Sequence, residues 1–161
     1  MNWFKKRLKG DKNIAVLVDG PNMLRKELSI DLHQIKNIVK QFGSIKIGKV
    51  YLNQYAPSKL AEAVVNQGFE IITCVGDVDV MMAVEATAIA HNPKIDIICL
   101  VTRDSDFIPA INKTKELGKS TIVVSVDESS AAALKNSADI VVILEKNSKK
   151  GYRWTSWQFF H

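Results

Sequence analysis

Acidic residues stand directly after four apolar runs of this chain: Asp19 in VLVDGPNM, Asp77 and Asp79 in CVGDVDVMM, Asp104 and Asp106 in LVTRDSDFIPAI, and Asp127 with Glu128 in SVDESS. If those run ends meet, the carboxylates repel one another unless something positive sits among them. A hard divalent cation, Mg2+ or Mn2+, held by a few carboxylates and several waters, is the natural neutraliser. Single acids also have ordinary uses. Asp106 is placed to N-cap the helix FIPAINKTKEL, with Pro109 tolerated in its first turn. Asp79 can cap VMMAVEATAIA, and Asp19 within DGPN suits a turn. Glu85 lies six residues beyond Asp79, about 240° round a helix, so the two need not share a face. These uses leave Asp104 unexplained, and they leave unexplained why the acids recur after successive runs.

The runs that carry the acids read as strands. NIAVLV (13–18), KIGKVYLN (46–53), FEIITCV (69–75), IDIICLV (95–101), STIVVSV (120–126) and DIVVIL (139–144) are β-branched and nearly continuously apolar, the pattern of strands buried on both faces. Between them lie helical segments with start and stop signals: DLHQIKNIVKQFG with Asp31 as N-cap, PSKLAEAVVNQG, VDVMMAVEATAIAHNP and DFIPAINKTKELG. Strand and helix in regular alternation predict a parallel sheet covered on both faces through right-handed crossovers. All the strand C-termini of such a sheet share one edge, where ligand sites form at the switch in strand order. The acids therefore fall on one edge, and Asp19 meets Asp104 if the first and fourth strands are neighbours.

Composition restricts the alternatives. A chain of 161 residues that is 47% hydrophobic can bury one genuine core, and its net charge of +5 favours an anionic partner. No run approaches the ~20 apolar residues of a membrane span, and MNWFKKRLKG lacks the apolar centre of a signal peptide, so the expected location is cytoplasmic. Cys74 and Cys99 sit in apolar runs without metal-site spacing, and His33, His91 and His161 are isolated. VDGPNM has one glycine where a dinucleotide fingerprint needs three. Receiver-type phosphoryl chemistry needs an acid two residues after the first Asp or a Lys after the fifth strand, and neither is present. The aromatic residues crowd at the ends: Trp3 and Phe4 in the N-terminal extension (1–12), Tyr152, Trp154, Trp157, Phe159 and Phe160 in the basic C-terminal tail (146–161). They are expected to pack together on their own or a neighbouring chain, giving a possible homo-oligomer.

VLVDGPNM, GDVDVMMAVEA and VTRDSDFIPAI, followed by ELGK and the run to 144, resemble the NYN domain of the PIN-like nuclease superfamily over residues 13–145. The resemblance implies an α/β three-layer sandwich with a mainly parallel, Rossmann-like sheet of strand order 3-2-1-4-5. It further implies a Mg2+- or Mn2+-dependent endoribonuclease acting on RNA, or a catalytically weak RNA-binding module of the same fold. Carried over by position, Asp19, Asp79, Asp104 and Asp106 would ligate or orient the metal, with Glu85 a fifth candidate ligand, and Asn22 would fix substrate or water. Arg103 and Ser105, flanking Asp104, would be further substrate contacts. The chemistry needs no Ser or Cys nucleophile, because a metal can polarise a phosphodiester oxygen and lower the pKa of an attacking water. The chain departs from the family pattern with Glu85 in place of Asp, Gly76 in place of Lys, Asp77 in place of Gly, and Arg103 in place of the Gly of S-G-D. Arg103 can grip a phosphate oxygen bidentately, or it can pair with Asp77 or Glu128.

Overall fold

The computed structural model describes residues 12–24, 31–126, 128–145 and 151–155. The chain alternates strand and helix in the order β1 (Asn13–Asp19), α1 (Gly20–Met23), α2 (Leu32–Val39), β2 (Ser44–Asn53), α3 (Ser58–Asn66), β3 (Glu70–Cys74), α4 (Val78–Ala90) and β4 (Ile97–Val101). A one-turn 3-10 helix (Ser105–Phe107), α5 (Ile108–Glu116), β5 (Ser120–Ser125), α6 (Glu128–Leu134), β6 (Ile140–Leu144) and β7 (Tyr152–Thr155) complete it. The sheet runs β3-β2-β1-β4-β5-β6-β7. Its first six strands are parallel, and β7 returns antiparallel beside β6.

Alternation along β1 shows how the sheet is covered. Ile14, Val16 and Val18 enter one core with Ile35 and Ile38 of α2 and Val64 of α3. Ala15 and Leu17 enter the other with Met82 and Ala86 of α4, Ile111 of α5 and Leu134 of α6. This is the three-layer sandwich expected from continuous apolar strands, with the predicted order 3-2-1-4-5 extended by two strands.

Beyond the short helical turns at Gly20–Met23 and Ser105–Phe107, two elements are not legible in the sequence. The helix α6 grows from ESSAAAL, too short and too rich in serine to read as amphipathic. The strand β7 falls inside the C-terminal tail: Leu144 pairs with Tyr152 and Val142 with Trp154, so part of the aromatic tail extends the sheet. The other aromatic residues of the expected terminal cluster, Trp3, Phe4, Trp157, Phe159 and Phe160, lie outside the described residues. Among the described residues no helix is long and apolar enough to cross a membrane.

Candidate metal centre

β1 lies between β2 and β4, where the chain switches direction across the sheet, and it delivers Asp19 to the C-terminal edge. Asp19 is 1% exposed. The glycine after it is required by the packing: a Cβ on Gly20 would lie 2.5 Å from the Tyr51 carbonyl oxygen and 2.5 Å from a Leu52 methyl. With Pro21 in its first turn, α1 then carries Asn22 back over the carboxylate. Asn22 Nδ2 donates to Asp19 Oδ2 at 2.8 Å, and Thr102 Oγ1 donates to the same oxygen at 3.4 Å. Asp19 Oδ1 is buried and has no hydrogen-bond partner among the described residues. Burial raises the Asp19 pKa above the ordinary carboxylate value; the Asn22 and Thr102 hydrogen bonds oppose that, and the Asp104 charge adds to it.

Thr102 joins two acids. It ends the apolar run of β4, is fully buried, and accepts at Oγ1 from the Asp104 backbone N–H at 3.1 Å. Asp104 in turn accepts at Oδ1 from the Asp106 N–H at 2.9 Å and is the N-cap of the 3-10 turn. The expectation that Asp106 would be the capping residue is therefore corrected: Asp104 caps the turn, and Asp106 lies in its first turn. The physical reason is the 3-10 turn itself, which starts the helical stretch at Ser105 and moves the cap two residues earlier.

Asp79 comes from the first turn of α4, and its Oδ1 accepts from Val80 N at 3.0 Å. Asp77 holds the N-cap position without a side-chain cap bond. One carboxylate oxygen each from Asp79, Asp104 and Asp106 lies within 4.8 Å of the other two. Oxygens around an octahedral Mg2+ lie about 3 Å apart in adjacent positions and about 4.2 Å apart in opposite ones, given bonds of about 2.1 Å. The three carboxylates thus need to close by only a fraction of their spacing to share a cation. All the donors are hard oxygens. Asp19, expected among the ligands, stands outside this three-carboxylate group, although the Asp104 charge acts on it. The residues present fit a hard divalent cation.

The remaining candidates are placed as follows. Glu85 does not join the three-carboxylate group; Lys49 Nζ of β2 lies 2.9 Å from its Oε1. The buried Tyr51 hydroxyl stands near Glu85 without completing a hydrogen bond of good geometry, and burial together with the Glu85 charge pushes its pKa far up. Arg103 is half-buried between Thr102 and Asp104, and Ser105 is exposed at the start of the 3-10 turn. Thr102 was not singled out from the sequence, although a threonine closing a continuous apolar strand just before an acid is a legible signal. Lys49 and Tyr51 carried none, since KVY inside a strand reads as ordinary alternation.

The NYN domain family model matches residues 13–145. An uncharacterized protein of Methanocaldococcus jannaschii, MJ0482, is 56% identical over 137 residues, covering 85% of this chain and 57% of that protein. The chain thus spans little more than half the length of that relative. Among solved structures, S. aureus homoserine dehydrogenase superposes with a TM-score of 0.38 at 16% identity, covering 80% of this chain and 30% of that one. Together the match over residues 13–145 and the carboxylates at the C-terminal edge identify the chain as a member of the NYN domain family, with its PIN-like nuclease fold.

Proposed function

We propose that the chain is a Mg2+- or Mn2+-dependent endoribonuclease that hydrolyses RNA phosphodiester bonds at the Asp79, Asp104 and Asp106 group, with Asp19 beside it. The observation that carries the reading is the convergence of three carboxylate oxygens within 4.8 Å on a sheet edge that also holds a buried, partly unpaired Asp19. When bound, the cation would polarise a phosphodiester oxygen and make an attacking water more acidic.

The chain's own residues have the remaining tasks. Asn22 and Thr102 hold Asp19 Oδ2, which fixes the Asp19 carboxylate beside the strand end that leads to Asp104. The Asp106 N–H fixes the Asp104 carboxylate, and Thr102 fixes its backbone. Arg103 supplies a planar cation beside the cluster for a phosphate oxygen, and Ser105 a hydroxyl at its rim. The net charge of +5 favours the polyanionic substrate.

One observation favours the alternative, an RNA-binding module that cuts slowly. Glu85 pairs with Lys49 and stands outside the group, so a site that needs that acid would be a ligand short. The two readings separate on turnover. Labelled single-stranded RNA incubated with purified protein in Mn2+ is expected to be cleaved, with cleavage lost in EDTA and in Asp79→Asn. RNA retained by the protein but left intact in Mn2+ would favour the binding module.

A further inference from the structure

α4 is apolar on the wrong side. A surface helix normally turns charged residues to water, but α4 exposes Val80 (59%), Met81 (41%) and Val84 (61%) while burying Val78, Met82, Ala86 and Ala90 against the sheet. At 100° per residue the buried positions centre on one side of the helix, and Val80, Met81, Val84 and the exposed Ala88 lie on the other. Only Glu85, at the border, carries charge within the helix beyond its first turn, and Lys49 takes it up. Val75, 86% exposed in the turn before α4, extends the apolar surface towards β3. Contiguous exposed apolar surface of this kind marks an interface.

The charges at the two ends indicate what covers it. Asp77 stands at the N-terminal end of the stripe; the cation Lys94 stands at the C-terminal end, with the polar His91 before it. All three are exposed and make no side-chain bond among the described residues. A strip that is apolar in the middle, acidic at one end and basic at the other is complementary to itself turned end for end. From these features we infer that α4 packs antiparallel against α4 of a second copy of this chain about a two-fold axis near Val84.

In that arrangement residues whose numbers sum to about 168 face each other: Val84 meets its own counterpart, Val80 meets Ala88, and Asp77 meets His91 with Lys94 in reach. The helix dipoles also run antiparallel, which aligns the acidic first turn with the partner's opposite end. A near-parallel crossing of about 20° keeps both ends close over a helix about 20 Å long. The face of one helix is smaller than the roughly 800 Å2 per partner of a standard interface, so Val75 and its turn belong to the contact and the dimer is a modest one. The proposal stands apart from the nuclease reading, since it rests on the exposed side chains of α4 and the charges at its ends. Its consequence for that reading is that the second copy brings cations beside the carboxylate edge.

The test is mass in solution together with a cross-link. Wild-type protein at about 100 μM, well above a micromolar dissociation constant, is expected to sediment as a dimer. Val84→Glu should be a monomer at the same concentration, with a circular-dichroism spectrum unchanged from that of the wild type. Helix axes 8 to 10 Å apart bring facing backbones within disulfide range, so Val84→Cys should form a covalent dimer on mild oxidation, while Lys113→Cys on α5 should not. The native Cys74 and Cys99 are buried and do not compete. Asp77→Lys or Lys94→Asp alone should weaken the dimer at least tenfold, and the two together should restore it to within about threefold. A monomeric wild type, a dimer that Val84→Glu leaves intact, no cross-link through Val84→Cys, or failure of the double swap to restore association would each overturn the proposal. If the wild type is a monomer, the stripe is covered by some other partner.

Discussion

Replacing Asp104 by Asn separates a cation site from a structural acid. Asp104 shares its group with Asp79 and Asp106, with ligand oxygens no more than 4.8 Å apart. At that spacing each like-charge pair costs about 0.9 kcal/mol with the dielectric of water and about 3.5 kcal/mol at an effective dielectric of 20. Asp79 and Asp104 are half-buried and Asp106 is exposed, so the lower value is nearer, and salt screens it further. Removing the Asp104 charge relieves two such pairs, worth about 1 to 2 kcal/mol to the metal-free protein. The one native bond at risk is the cap to the Asp106 N–H, and Asn caps as well as Asp does. In EDTA the variant should therefore melt about 3 to 6 °C higher than wild type, taking about 3 °C per kcal/mol for a domain of this size. In Mg2+ the order should reverse: a cation at 100 times its dissociation constant adds about 2.7 kcal/mol to whichever protein binds it. Differential scanning calorimetry of both proteins, with EDTA and with Mg2+, gives the four curves. An Asp104→Asn protein that is less stable by 1 kcal/mol or more in EDTA would refute the reasoning and make Asp104 a structural residue.

Three further outcomes follow from the same geometry. The folded Asp19 pKa is raised above its unfolded value, so the metal-free native state holds the proton more tightly and loses stability as pH rises through that window; wild type and Asp19→Asn should be closest near pH 4 and diverge in favour of the variant towards pH 7, and a gap independent of pH in urea titrations would contradict this. Gly20→Ala should destabilise by about 1 to 3 kcal/mol, because its Cβ meets the Tyr51 carbonyl oxygen at 2.5 Å; an unchanged denaturation midpoint would show that β2 gives way freely. Burial pushes the Cys99 thiol well up, so it should react with a thiol reagent only as fast as the protein unfolds, and rapid modification of the native protein would count against the packing of β4.

The edge that carries the acids was legible because of how a parallel sheet is built: continuous apolar strands put Asp19 at a strand end and Asp79, Asp104 and Asp106 shortly after one. The grouping depends on the turns, since Asp79 comes from the first turn of α4 and Asp106 from the 3-10 turn, while Asp19 stands outside the three-carboxylate group. Fine placement was not legible in the same way. Whether Asp104 or Asp106 caps the turn depends on a 3-10 start at Ser105, a difference of one hydrogen bond that composition does not register. Lys49 reaches Glu85 only because α4 crosses β2, a contact between elements 36 residues apart. The strand β7 escaped because YRWT is short, polar at its centre and paired antiparallel at an edge, where no run of apolar residues is needed. The outward stripe of α4 was hidden for the opposite reason: the helix is apolar all round, so it has no polar face from which to read an orientation.

The proposed nuclease activity requires that the cation bound by the carboxylates be the one that cuts RNA. Mn2+ occupancy, followed by electron paramagnetic resonance as free Mn2+ disappears, can be measured in the same samples as the initial rate of single-stranded RNA cleavage. Both should rise with the same midpoint for wild type, and both should fall together by at least tenfold in affinity or rate for Asp104→Asn. Cleavage that persists in Asp104→Asn with Mn2+ binding abolished, or Mn2+ bound by wild type with no cleavage at any concentration, would contradict it.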